Sequence, residues 1–397
     1  MVQSSSEQMR AWRGPALFSF GFRPFFLFGA VWVAVSMVLW LFSLSGMIDV
    51  PTRFDPVSWH AHEFLFGYLG AILAGFLLTA VPNWTGCLPM VGRPLAALFA
   101  LWGAGRIAIL FSAALPAAVA PVIDLAFPVV LGALILREII AGKNWRNLIV
   151  LALLAVFTMA NALFHLEALE GVYAAQGTGL RLGVATAVMM IGVIGGRIIP
   201  SFTRNWLAHR EDPARPAPPM QRFDKLVLLS SLPILALWVV HPFEFHTGIA
   251  LLIMSGLHLT RQIRWQPHHT LGEPLVWVLH LSYAFIPLGA FALGMDQILG
   301  NPSTAGAQHL WMTGAIGSMT LAVMTRATLG HTGQSLTASH ATVVIYLCVF
   351  GAALTRFLTS LVVELNYASG VLWLAAFVGF AIVYGPLLLR RTPEKAR

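Results

Sequence analysis

The sequence predicts an all-α polytopic membrane protein of about twelve transmembrane helices with both termini cytoplasmic. Three observations carry that reading. Of 397 residues, 58% are hydrophobic and only 10% are charged, against roughly 25% charged in a typical soluble domain. The apolar residues gather into runs near the ~20 residues needed to span hydrocarbon. The basic residues fall in alternate loops, as the positive-inside rule requires of a multi-pass chain.

The runs lie at about 24–46, 59–81, 93–113, 117–137, 146–167 and 179–201, then 223–241, 245–264, 273–295, 306–328, 341–362 and 368–389. Between the sixth and seventh, the segment 203–225 ("TRNWLAHREDPARPAPPMQRFDK") is rich in Pro and Arg. It is expected to be a cytoplasmic linker between two six-helix halves of a single membrane domain, 1–397. Arg10, Arg13, Arg23, Arg93, Arg137, Lys143 and Arg146 lie on one side, with Arg204, Arg210, Arg261, Arg264, Arg390 and Lys395. The opposite loops hold mainly Arg53 and Arg181. The first 23 residues lack an apolar core followed by a small-residue cleavage site, so no signal peptide is expected.

The formal charge of +8 is spread singly between apolar runs. With no basic stripe, a nucleic-acid partner is not expected and the lipid bilayer is. Two cysteines, Cys87 and Cys348, are too few for a disulfide framework or a cysteine-held cluster.

Orientation turns the histidines into a map. The second span opens outside with "WHAHE", which puts His60, His62 and Glu63 at its outer end. The fifth ends outside in "NALFHLE", with His165 and, one turn away on the same face, Asn161. The tenth starts outside with His309. Ionisable groups are costly in a membrane and mark functional sites, and imidazole ligates haem iron and copper. His60, His62, His165 and His309 are therefore the candidate metal ligands. Residues two apart face opposite sides of a helix, so His60 and His62 are expected to do different jobs. One would bind iron, and the other, with Glu63, would bind copper or relay protons. Glu63 is either that proton carrier or a partner orienting a ligand.

Small residues follow each histidine at helical spacing: Gly67 and Gly70 below His60, Gly317 below His309. They either leave room for a macrocycle or let helices pack closely; the histidine above each strip favours the macrocycle. Aligning "WTG" at 84–86 with "HTG" at 331–333 sets His62 opposite His309, Gly67 opposite Gly314 and Gly70 opposite Gly317. The sixth span, with Gly192 and Gly195, is a weaker third copy, which suggests a pseudo-threefold repeat of four helices. A second polar layer towards the cytoplasmic side holds Arg197, Arg326 and His280. The arginines suit propionates, an anion or a lipid headgroup, or simply snorkel to the interface. His280 is either an axial ligand or a buried histidine bonded to a neighbouring helix. No GxGxxG, P-loop, HExxH or CxxCH occurs, so any haem would be noncovalent.

The blocks "FRPFFLFGA" (22–30), "WHAHEFLFGY" (59–68), "AGFLLTAVPNWTG" (74–86), "GGRIIPSFTRNWL" (195–207) and "MTRATLGHTG" (324–333) together resemble the NnrS family. The resemblance implies a multi-pass bacterial inner-membrane protein containing haem b and copper, active in nitric oxide metabolism and nitrosative stress. As an enzyme, it would reduce nitric oxide to nitrous oxide at the outer histidine site, with protons supplied through Glu63 and assisted by His60. Electrons would come from quinol or a periplasmic cytochrome. The alternatives are a haem-based nitric oxide sensor or binder without turnover, and a metal or haem transporter.

Overall fold

The computed structural model describes residues 12–85, 89–300 and 305–391; Arg10, Gly86, Cys87 and Lys395 lie outside them. Among the described residues the chain is all helix, with no strand. Twelve long helices follow the predicted runs: α1 (Phe22–Leu44), α2 (56–85), α3 (Arg93–Leu110), α4 (Val119–Ala141), α5 (Leu148–Leu169) and α6 (Thr178–His209). After these come α7 (Arg222–Val240), α8 (Phe245–Ile263), α9 (Pro274–Ile298), α10 (305–331), α11 (His340–Phe357) and α12 (Leu365–Leu389). Ten of them are long and apolar enough to cross a bilayer. The other two, α8 and α10, carry more polar side chains, among them His258, Arg261 and Gln262 on α8 and His309, Thr313 and Arg326 on α10.

The predicted linker is shorter than its composition suggested. α6 continues to His209 and α7 begins at Arg222. The second start is fixed by a capping box, in which Gln221 and Asp224 satisfy each other's backbone N–H. α2 is started by Asp55, whose carboxylate accepts from Val57 N (3.0 Å) and Ser58 N (2.9 Å), with Pro56 in the first turn.

Three helices are not regular throughout. α2 widens into a π-helical segment at Glu63–Tyr68, α6 at Ile191–Gly195 and α10 at Leu310–Gly317. A π turn inserts a residue and removes a carbonyl from the ordinary ladder, and such turns are frequent at functional sites.

The residues divide into two compact units. The first runs from the start of the described chain to Gly183, with Ala327–Gln334 and the chain from Phe377 on. The second holds Val184–Arg326 and Ser335–Ala376. In the first unit α1 packs on α2, α3 on α4, and α4 on both α2 and α5. In the second, α8 packs on α7 and α9, and the π segment of α10 packs on α9 and α11.

Candidate metal centre

The packing of α2, α3, α4 and α5 brings six ionisable or amide side chains into one buried cluster. His62 and Glu63 come from α2, Arg106 from α3, Asp124 from α4, and Asn161 and His165 from α5. All six residues are buried. Unpaired charges at this depth would cost several kcal/mol each, so the pattern of pairing matters.

Arg106 is the hub. Its Nη1 donates to Glu63 Oε1 (2.7 Å), and its Nη2 donates to Asp124 Oδ1. Glu63 also accepts from Trp32 Nε1 through Oε2 (2.6 Å) and lies 3.0 Å from His62 Nδ1. Asp124 Oδ2 accepts from Asn161 Nδ2 (2.7 Å) and meets the Nε2 atoms of His165 (3.0 Å) and His62 (3.3 Å). Asn161 Oδ1 is 3.1 Å from His62 Nε2.

The π segment of α2 makes this arrangement possible. Gly67 lies beside Arg106 so closely that a Cβ there would run into the guanidinium and Glu63. The Gly67 carbonyl accepts from Trp102 Nε1 of α3 (3.0 Å). The glycine thus admits an arginine. Gly70 borders a cavity of about 10 Å³ against Asp124 and Asn161, close to the space one water occupies.

The hydrogen-bond logic at His62 is unusual. An ionised carboxylate only accepts, so Nδ1 donates to Glu63. Nε2 then faces two further oxygens, Asn161 Oδ1 and Asp124 Oδ2. A lone pair there would oppose two acceptors. The geometry therefore calls for a positive occupant beside Nε2, either a proton or a metal ion. One nitrogen of His62, one nitrogen of His165 and one Asp124 oxygen lie within 4.8 Å of one another. The two nitrogen–oxygen edges of 3.0 and 3.3 Å match the ligand–ligand separations of roughly 2.9–3.4 Å that metal–ligand bonds of about 2.0–2.1 Å produce. Around this point the His62 ring is enclosed by Phe54 (5.2 Å), Phe66 (5.5 Å), Phe164 (5.6 Å) and His165 (4.9 Å). That is the packing of an ion-sized site rather than one that holds a macrocycle.

The other predicted residues lie elsewhere. His60 turns to another face of α2, stacked on Trp40 (4.5 Å, 16°) and against Phe64 (4.3 Å). His309 belongs to the second unit. It is half-buried, with Nδ1 2.7 Å from Ala305 O. Beside Gly317, the Trp373 ring occupies the space a side chain would take (Cζ3 at 2.7 Å). Arg326 is half-buried and stacks over Phe202 (4.0 Å); Arg197 is half-buried on α6. His280 is buried, with Nε2 2.8 Å from Thr203 Oγ1, so a neighbouring helix partners it.

The second unit has a buried network of its own. Arg261 Nε donates to Asp224 Oδ1 (2.7 Å), and its Nη1 donates to Gly192 O (2.9 Å) and Tyr283 Oη (3.0 Å). Tyr283 Oη reaches His258 Nδ1 (2.7 Å), and His258 Nε2 reaches Ser231 Oγ (2.9 Å). Arg106, Asp124, Asp224 and Tyr283 carry no role in the sequence reading, and Arg261, read there as a basic residue of a cytoplasmic loop, is fully buried. A lone charge inside an apolar run was the available signal.

The fold and this site define a class: a multi-pass helical membrane protein with a buried histidine–carboxylate–guanidinium centre able to chelate a metal. The family comparison gives the particular case. The chain belongs to the NnrS family, described as "NnrS protein", whose match extends over residues 16–391. No curated protein matches the chain.

Proposed function

We propose that this protein holds one copper ion at His62, Asp124 and His165 and acts in the bacterial inner membrane in the removal of nitric oxide. The observation that carries the metal reading is the convergence of three buried ligand atoms with coordination-sphere spacing. Two imidazoles and a carboxylate suit several first-row ions, iron and copper among them, and the family resemblance implies copper. When bound, copper supplies one-electron chemistry in a closed, low-dielectric site. The chain's own residues set the stage for it. Glu63 accepts the hydrogen bond from Nδ1–H of His62 and turns Nε2 to the centre, the usual role of a carboxylate behind a ligating histidine. Arg106 offsets the two carboxylates, and Asn161 steadies Asp124.

Haem b, also implied by the resemblance, does not fit around His62. His309 offers a ligand atom for it, with Trp373 and Phe285 filling the space beside Gly317 and Gly314. A carbonyl can only accept, so Nδ1 of His309 donates to Ala305 O, and the lone pair sits on Nε2, as in many ligating histidines. The alternating basic loops support cytoplasmic termini. The π segments of α2 and α10 support the internal repeat, because the alignment of 84–86 with 331–333 brings Glu63 onto Leu310, the first residue of each segment.

Reduction of nitric oxide to nitrous oxide, with electrons from quinol or a periplasmic cytochrome, is the leading reading. Binding without turnover is the second, and one observation favours it. Both Glu63 oxygens are already engaged by Arg106, His62 and Trp32, which suits a positioning carboxylate better than a proton carrier. The test is detergent-purified, haem-replete protein, assayed for copper by elemental analysis and electron paramagnetic resonance and for haem by its reduced spectrum. Wild type should hold copper that His165→Ala and Asp124→Asn lose, and haem that His309→Ala loses. Headspace nitrous oxide accumulating over many turnovers establishes the reductase; a nitrosyl spectrum without it establishes the binder. Copper retained in both centre variants overturns the site.

A further inference from the structure

The metal centre is buried, so anything that acts on it must reach it. A cleft of about 270 Å³ opens at one end of the first unit and ends on His165. Its walls include Arg53, Phe54, Ile109, Ala120 and Ala168. Phe54, on the cleft wall, packs against both imidazoles and lies between the cleft and His62. The Phe54 ring stacks on His165 (5.7 Å, 26°) and covers His62 (5.2 Å).

Phe54 is held there by a strap, since the segment before it is tied to the turn after α3. Arg53 N donates to Ser112 Oγ (2.8 Å), Arg53 Nε to Ser112 O (2.9 Å), and Ala113 N to Pro51 O (3.3 Å). Arg53 Nη2 reaches Leu115 O (2.5 Å), and Thr52 Oγ1 lies 3.1 Å from Ser112 Oγ. Asp55, next in sequence, is fixed as the cap of α2. Phe54 is thus a half-buried apolar ring pinned on both sides over two histidines.

We propose that this cleft is the entrance to the metal centre for a small uncharged or anionic metal ligand, with Phe54 as the residue that limits access. The class follows from the walls. Seven of the ten lining residues are apolar, though the surface they present is about as polar as it is apolar; their charged residue is the cation Arg53, and no carboxylate is among them. A hydrated divalent cation would meet a like charge and no ligand along this path. A diatomic or an azide-sized anion meets apolar side chains, one favourable charge and then the histidines. The inference rests on the metal reading of His62, Asp124 and His165 for its purpose, but its geometry is testable without metal.

The test is histidine modification by diethyl pyrocarbonate, a small neutral electrophile, on chelator-treated full-length protein, read residue by residue by mass spectrometry. In wild type, His165 should react and His62 should be protected. Phe54→Ala should speed modification of His62 several-fold, with Phe54→Leu giving a smaller gain should the alanine variant fail to fold. Ala168→Trp, which fills the cleft, should protect both. The exposed His241 and His246 should react equally in every variant, reporting intact protein and equal reagent. His62 reactivity unchanged by the Phe54 variants, or His165 reactivity unchanged by Ala168→Trp, overturns the proposal. On copper-loaded protein, azide association should be faster in Phe54→Ala and slower in Ala168→Trp, and equal rates overturn it too. Wild type without copper sinks the metal reading alone, because the modification pattern does not depend on it.

Discussion

The two buried arginine networks of this protein are built alike and hold different chemistry. In each, a guanidinium from a neighbouring helix lies beside a glycine in or next to a π segment. Arg106 lies against Gly67 of α2, and Arg261 against Gly196 of α6. In each, a carbonyl of the π segment accepts from a side chain: Gly67 O from Trp102 and Gly192 O from Arg261. The difference lies in what surrounds the cation. Arg261 meets one carboxylate, Asp224, and a chain of Tyr283, His258 and Ser231 in which hydroxyls alternate with imidazole nitrogens. Every contact in that chain has an oxygen able to donate or accept, so the network closes on itself. Arg106 meets two carboxylates, and the histidine between them faces acceptors on both nitrogens. The second network balances its charge, although Arg261 Nη2 finds no hydrogen-bond partner among the described residues; the first calls for another positive charge. A π turn with an arginine is therefore a way to bury charge, and the donor count around it separates scaffold from site.

The comparison breaks most visibly at the two aspartates. Asp224→Ala leaves Arg261 buried without a counter-charge and should cost about 3–5 kcal/mol, seen as a lowered thermal midpoint or loss of monodisperse protein in detergent. Asp124→Ala should cost less, because Arg106 keeps Glu63. Equal losses in the two variants would mean the first cluster is scaffold as well.

Metal affinity sharpens the contrast next. Glu63→Gln weakens the acceptor that orients His62, and loss of such an outer partner should reduce copper affinity about 10–100-fold. His165→Ala, which removes a ligand, should exceed that. Competition with a chelator of known affinity measures both, and an unaltered constant in Glu63→Gln would remove Glu63 from the positioning role. The smallest effect belongs to the second unit. Tyr283→Phe removes the hydroxyl that joins Arg261 to His258, worth about 1 kcal/mol, with copper content unchanged. A copper loss there would show that the two networks do not act independently.

Much of this was legible beforehand. All twelve helices begin and end within a few residues of the apolar runs, apart from α6, which continues eight residues beyond its run into the predicted linker. His62, Glu63, His165 and Asn161 were placed together at one end of their helices, and they meet. Arg106 and Asp124 are single charges inside the third and fourth runs, and nothing local in the sequence pairs them. His60, two residues from His62, is expected on the opposite face of its helix, and the structure turns it there, onto Trp40. Gly67 reads as space for a cofactor, whereas the space is filled by a guanidinium from another helix.

The sequence by itself determined that this is a helical membrane protein, where its helices run and which ends carry side chains able to ligate a metal. Those features follow from hydropathy, helical period and charge, all of which are local. Only the tertiary structure decided which charges neutralise which, because burial makes a charge depend on partners far away in sequence. Asp124 and Arg106 are 18 residues apart, and Asp124 and His165 are 41. Their union at one point, with one hydrogen-bond donor too few, is what turns polar residues in a membrane into a site.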